Sequence, residues 1–228
     1  MEKKVRYPFY LFILLLIFLT SCNEGKYEVK DGTVYYSRWT ASFGQQYDEL
    51  PEVDAATFES VEDWLGRDAT HVYFKDRLVS GADPATIKAE DYPLFCDAND
   101  YYYKGAPLHV TDMRSFEVIE LDDRRMWAKD SRTVYFDSLH VEGANPATFR
   151  LLDFLEGKDD RHVFYQDSIL PDADPNTYEV LGLYSKDKSH VWYCGHLMEG
   201  ADAASFHLDK EDEGVDKYGS FSNGERVR

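Results

Sequence analysis

Three histidines, His71, His162 and His190, each stand directly before a valine, in His71-Val72-Tyr73, His162-Val163-Phe164 and His190-Val191-Trp192. Imidazole is a common metal ligand, and stacked repeats would bring His162 near His190. A zinc site, however, needs three or four convergent groups. Thr133 and Asp100 fill the same slot elsewhere, so the slot reads as a polar strand position and no metal is assigned. Recurrent aspartates raise calcium as a second possibility, but no Asp-x-Asp-x-Asp-Gly loop occurs. Asp83, Asn145 and Asp174 each precede a proline, the pattern of an N-cap followed by a first helical residue. Neither Gly-x-Ser-x-Gly, nor His-Glu-x-x-His, nor a Gly-rich phosphate loop is present. With 43 Asp and Glu residues, paired carboxylates are everywhere and single out no glycosidase-type pair. No catalytic residue and no cofactor is therefore assigned.

Aromatic side chains are the better functional hint. Tyr73, Tyr102, Tyr135, Phe164 and Trp192 share one slot, the residue after the valine position. On a solvent-facing strand they form a ladder of rigid anchors suited to protein or glycan contact, and they are the candidate binding face. In a two-layer repeat the same residues are core.

The elements that position these residues recur along the chain. Gly81-Ala82-Asp83-Pro84-Ala85-Thr86-Ile87 returns as Gly143-Ala144-Asn145-Pro146-Ala147-Thr148-Phe149, as Asp172-Ala173-Asp174-Pro175-Asn176-Thr177-Tyr178 and as Gly200-Ala201-Asp202-Ala203-Ala204-Ser205-Phe206. Looser copies run Val53-Asp54-Ala55-Ala56-Thr57-Phe58 and Thr111-Asp112-Met113-Arg114-Ser115-Phe116. Such a period marks a repeat architecture. The valine slot falls at Val34, Val72, Tyr101, Val134, Val163 and Val191, so six units are expected, of about 28–33 residues from Val72 onward and longer in the first, where Trp39 to Pro51 inserts extra loop. Val-aromatic-aromatic is strand composition. A tight turn at Asp76, Gly105, Asp167 or Gly195 and a short apolar return complete a hairpin. The Asp-Pro step is read as a single helical turn that drops Ile87, Phe116, Phe149, Tyr178 or Phe206 into the core. A short third strand ends the unit. A lone hairpin is marginal in water, so each unit must stack on the next. The expectation is an all-β array of about three short antiparallel strands per unit, solenoid-like or an open curved stack. A propeller-like ring comes second, because blades usually need four strands and about 40 residues.

The chain begins with Glu2-Lys3-Lys4-Val5-Arg6 and an apolar run from Phe9 to Leu19, shorter than the roughly 20 residues of a membrane span. This is the pattern of a secretory signal peptide. Leu19-Thr20-Ser21-Cys22 resembles a bacterial lipobox, which implies cleavage before Cys22, a diacylglycerol on its thiol and further acylation such as palmitate. Residues 1–21 are then the signal, 22–29 a short tether, and 30–228 the repeat domain with a charged C-terminal tail. Acyl chains anchor rather than span. Asn23 is not the aspartate that, by resemblance to enteric lipoproteins, implies inner-membrane retention. That leans toward the outer membrane and leaves the face open. From Cys22 onward the chain has 22 basic and 42 acidic residues, a balance that repels nucleic acid and anionic lipid. Cys96 and Cys194 lie in different repeats and are read as two thiols rather than a disulfide.

Lys129-Asp130-Ser131-Arg132-Thr133-Val134-Tyr135-Phe136, Lys158-Asp159-Asp160-Arg161-His162-Val163-Phe164-Tyr165 and Lys186-Asp187-Lys188-Ser189-His190-Val191-Trp192-Tyr193 resemble the core repeat of the DKNYY family of bacterial proteins. The likeness runs from about Lys30 to His207, and departs from the pattern between Cys96 and Tyr103. It implies a surface or envelope repeat protein and brings no catalytic residue. The functional expectation is a membrane-anchored, non-enzymatic envelope scaffold. Its partners are the membrane, through Cys22, and an envelope protein or glycan. The alternative is a hydrolase acting on envelope glycans.

Overall fold

The computed structural model describes residues 25–227. Cys22 and the signal segment lie outside them. The chain forms two units, divided after Ala89.

The first unit opens with a three-stranded antiparallel sheet, β1 (Lys26–Lys30), β2 (Thr33–Thr40) and β3 (Gly44–Glu49). A four-stranded meander follows: β4 (Glu59–Glu62), β5 (Leu65–Arg67), β6 (Val72–Phe74) and β7 (Arg77–Leu78). Strand β8 (Lys88–Ala89) closes the unit. The second unit starts with β9 (Leu94–Cys96), β10 (Tyr101–Tyr103) and β11 (Ala106–Pro107). Four meanders complete it. The first is β12 (Glu117–Leu121), β13 (Met126–Lys129), β14 (Val134–Phe136) and β15 (Leu139–His140). The next is β16 (Arg150–Leu151), β17 (Glu156–Lys158), β18 (Val163–Tyr165) and β19 (Ser168–Ile169). Then come β20 (Glu179–Leu181), β21 (Tyr184–Lys186), β22 (Val191–Tyr193) and β23 (His196–Leu197). The last is β24 (His207–Leu208), β25 (Gly214–Asp216), β26 (Gly219–Ser222) and β27 (Glu225–Arg226). The described residues are thus all-β, in short antiparallel strands and small repeated sheets.

Each full repeat has four strands where the sequence suggested three. The extra one directly precedes the motif aspartate: Leu65-Gly66-Arg67, Glu156-Gly157-Lys158 and Tyr184-Ser185-Lys186 pair with the Val-aromatic strand across a tight turn. A small central Gly or Ser and a basic third residue leave these three-residue stretches with little strand signal. At the N-terminus, residues 26–29 of the expected tether belong to β1. At the C-terminus, the expected charged tail forms a complete meander from His207 to Arg226. The hairpin turn after the aromatics needs left-handed backbone. Cys194 (φ 47°) and Gly195 (φ 76°) supply it, and a Cβ on Gly195 would come within 2.5 Å of the Tyr165 ring.

Burial explains how short strands become stable. Val134 and Phe136 point into a cluster with Trp127, Val141, Phe149 and Phe164. Tyr135, on the opposite face of the same strand, packs with Leu94, Tyr103, Leu108 and Met126. Phe164 in turn belongs to the first of these clusters, whereas its neighbour Val163 packs with Leu170, Tyr178 and Trp192. Within the second unit, therefore, each Val-aromatic strand lies between two clusters and joins one repeat to the next. This removes Tyr73, Tyr102, Tyr135, Phe164 and Trp192 from the surface: all five are 3% exposed or less. The binding-face expectation is corrected, since both faces of these strands are core.

The anchor residue of each Asp-Pro turn is matched in size to the strand that receives it. Phe58 lies over Gly66 and Phe206 over Gly214, where a Cβ would approach the rings to 2.7 Å. Phe149 lies over Gly157 in the same way. Where the anchor is Tyr178, the facing residue is Ser185, whose hydroxyl lies 2.6 Å from the tyrosine hydroxyl.

Candidate functional site

The most repeated chemical feature is a buried aspartate at the head of each motif: Asp68, Asp97, Asp130, Asp159, Asp187 and Asp216. Its Oδ1 accepts the backbone N–H groups of the tight turn that follows. For Asp130 these come from Arg132 (2.7 Å) and Thr133 (2.8 Å), and for Asp159 from Arg161 and His162 (both 2.7 Å). Its Oδ2 accepts the N–H of the preceding Asp-Pro turn: Asp54 to Asp68 (2.9 Å), Asp112 to Asp130 (2.9 Å), Asn145 to Asp159 (2.8 Å), Asp174 to Asp187 (2.9 Å) and Asp202 to Asp216 (2.9 Å). Where the ladder residue is tyrosine, its hydroxyl also donates to this carboxylate, as Tyr73 to Asp68 (3.1 Å), Tyr102 to Asp97 (2.9 Å) and Tyr135 to Asp130 (2.7 Å). Burial alone would raise the Asp130 pKa. The bonds from Tyr135, Arg132, Thr111 and Asp112 outweigh burial and hold it down at about 2.

The Asp-Pro turns are single turns, as expected. Asp83 Oδ1 accepts from the Ala85 N–H at 2.9 Å, and the Thr86 N–H returns to the Asp83 carbonyl at 3.2 Å. A latch that sequence reasoning missed holds the carbonyl end. The basic residue just before the motif aspartate donates forward to the next turn: Arg67 to the Pro84 carbonyl (2.6 Å), Lys129 to Pro146 (3.3 Å) and Lys186 to Phe206 (2.8 Å). Cross-strand acids neutralise it, with Glu117 3.2 Å from Lys129 and Glu179 3.3 Å from Lys186. The recurring Lys-Asp pair was its sequence signal.

The three histidines sit over their own turns. His71, His162 and His190 place Nδ1 3.4, 3.9 and 3.6 Å from Asp68, Asp159 and Asp187. Their rings pack against Tyr73, Phe164 and Trp192. Among the described residues, no three His, Cys, Asp or Glu side chains gather as a ligand set. Cys96 and Cys194 are thiols, with no disulfide between them.

One core position carries a titrating group. Glu156 stands where other repeats have Leu65, Leu94 or Tyr184, and it is buried. Its carboxylate accepts from the Tyr178 hydroxyl at 2.9 Å. Burial is the largest influence and pushes its pKa up to about 7, against the opposing bond from Tyr178. A carboxyl raised in the folded state contributes stability below its unfolded value near 4.5, and loses it as pH rises through about 7. Stability should therefore fall between those pH values by roughly 3 kcal/mol from this group. Glu156→Gln should flatten that slope in urea titrations. An equal slope in the variant would show that Glu156 is not its source.

An open cleft of about 480 Å³ in the second unit is lined by Lys104, Asp123, Arg124, Arg125, Phe154 and Leu155. Phe154 is exposed, with the Arg124 guanidinium 5.6 Å from its ring centroid. Trp127 Nε1 donates to the Phe154 carbonyl at 3.0 Å and ties the cleft floor to the core. Lys104 Nζ donates to the Arg124 carbonyl at 3.0 Å. Asp122 and Asp137, each 3.7 Å from a guanidinium, balance the two arginines. An aromatic face ringed by hydrogen-bond donors suits a sugar ring or a protein side chain. Sequence reading missed this cleft because Phe154 belongs to no repeated slot.

Aspartate-headed turns, five of them seen bound to the turn before, and repeated four-stranded meanders define an all-β repeat protein. The family model for the DKNYY family matches residues 12–106 and again 97–226, and the chain belongs to that family. No curated protein and no solved structure matches it.

Proposed function

We propose that this chain is a bacterial envelope lipoprotein, anchored through Cys22 in the outer rather than the inner membrane. In this reading the repeat domain is a non-enzymatic scaffold for contact with an envelope protein or glycan. The observation that carries it is where the polar chemistry goes. The six motif aspartates are bound by backbone N–H groups or by tyrosine, and the histidines lie over the same turns. Glu156, the carboxyl whose pKa best suits acid–base work near neutrality, is buried against Tyr178. That favours a scaffold over the alternative of an envelope glycan hydrolase. The Phe154 cleft is the contact site this reading uses. Cys22→Ala should abolish incorporation of labelled palmitate in a bacterial host. Palmitate retained in that variant, or never incorporated into the wild type, would sink the lipoprotein reading.

A further inference from the structure

The first sheet exposes three aromatic side chains at one end. Phe43, at the tip of the β2–β3 hairpin, is 78% exposed; Trp39 is 48% and Tyr47 46% exposed. Trp39 pairs with Gln45 and Ser37 with Tyr47, so Trp39 and Tyr47 lie on one sheet face. The other face turns Val34 and Tyr36 into the core. From Trp39 to Tyr47 the chain reads Trp-Thr-Ala-Ser-Phe-Gly-Gln-Gln-Tyr, with no charged side chain, whereas 30% of the whole chain is charged. The turn meets part of its own polar demand. The Phe43 N–H donates to Thr40 Oγ1 at 3.2 Å, and Gln46 Nε2 donates to the Phe43 carbonyl at 2.8 Å. Removing such a tip from water leaves fewer backbone groups unpaired. Behind it stand amphipathic cations: Lys30 Nζ lies 3.5 Å from the Tyr47 ring centroid, and Arg38 pairs with Asp48.

The strand register places this tip beside the N-terminus. Lys26 pairs with Ser37, so the start of β1 lies at the sheet end from which Trp39 and Phe43 project. Cys22 precedes Lys26 by four residues, a reach of about 14 Å when fully extended. A lipid on Cys22 holds that end of the sheet at the bilayer surface. Trp and Tyr, apolar with a polar handle, are suited to the membrane–water boundary.

We propose that Trp39, Phe43 and Tyr47 form a second membrane contact, seated at the boundary between headgroups and acyl chains of the bilayer that carries the Cys22 lipid. The proposal rests on the lipoprotein reading, and its test separates the two. Full-length protein is placed in phosphatidylethanolamine–phosphatidylglycerol vesicles containing lipids brominated near the headgroup. The Trp39 emission is taken as the difference between wild type and Trp39→Phe. Quenching of that component is expected, with most of it lost in Phe43→Ser while the thermal melt of the variant is unchanged. Protein shown by palmitate labelling to carry the lipid, but with unquenched Trp39, overturns the membrane contact and leaves the anchor standing. Quenching in protein without lipid supports the contact and removes the anchor. Neither lipid nor quenching overturns both. A Trp39 shift that appears with protein concentration in the absence of vesicles assigns the tip to a second copy of this chain, and also overturns the proposal.

Discussion

Asp130→Ala should lower the free energy of unfolding by about 3 kcal/mol or more, since each buried group left without a partner costs about 1–3 kcal/mol. Asp130 is 3% exposed and accepts six hydrogen bonds. Two come from the turn it heads, and three reach back to Thr111 and Asp112 in the preceding turn. The sixth comes from the Tyr135 hydroxyl, which lies in the core and cannot turn to water. Asp130→Asn keeps the shape but sets an NH₂ against donors, and should give an intermediate loss. The wild-type contribution is fully present above the unfolded value near 3.8 and is lost as pH falls through about 2. This is opposite in sign to Glu156, so the two can be separated by pH. A urea midpoint unchanged in Asp130→Ala would refute the structural role given to this carboxylate.

Phe149→Ala should cost about 3–5 kcal/mol, the range for truncating a buried phenylalanine. The ring is 7% exposed, with centroids 5.3 Å from Trp127 and 6.1 Å from Phe164, and it lies over Gly157. It therefore joins residues of two successive meanders, and a cavity there cannot close without moving both. Leu139→Ala is the control. Leu139 is 52% exposed on the edge strand β15, where surface substitutions usually stay within about 0.5 kcal/mol. Similar midpoint shifts for the two variants in urea would contradict the anchor role of Phe149.

Much of the fold was legible because each local signal recurs. The Asp-Pro turn and the Val-aromatic strand appear in the structure where the repeats put them, and the anchors Phe149, Tyr178 and Phe206 are buried as their slot implied. The strand before the motif aspartate was not legible. Three residues such as Glu156-Gly157-Lys158 have no strand propensity, and only their neighbours make them one. Period-two alternation also could not tell whether Tyr135 faces water. In a strand between two clusters both faces are core, and the pattern of aromatics is the same either way. The last meander lacks the Val-aromatic signature altogether. It is recognisable only through Asp216, which accepts the Asp202 N–H and pairs with Arg226 in place of a longer turn. The exposed tip at Phe43 lies in the Trp39–Pro51 stretch that lengthens the first repeat, where the repeat pattern gave no guidance.

Native-state hydrogen exchange tests most directly whether the motif aspartates join each repeat to its neighbour. The amides of Asp54, Asp112, Asn145, Asp174 and Asp202 lie in surface turns, yet each donates to the aspartate of the following motif. They should be protected as strongly as paired strand amides, because exchange requires the repeats to part. In Asp130→Ala, protection at Asp112 should collapse. If these amides exchange in the wild type as fast as exposed turn amides, the aspartates do not hold the repeats together, and this account of the fold is wrong.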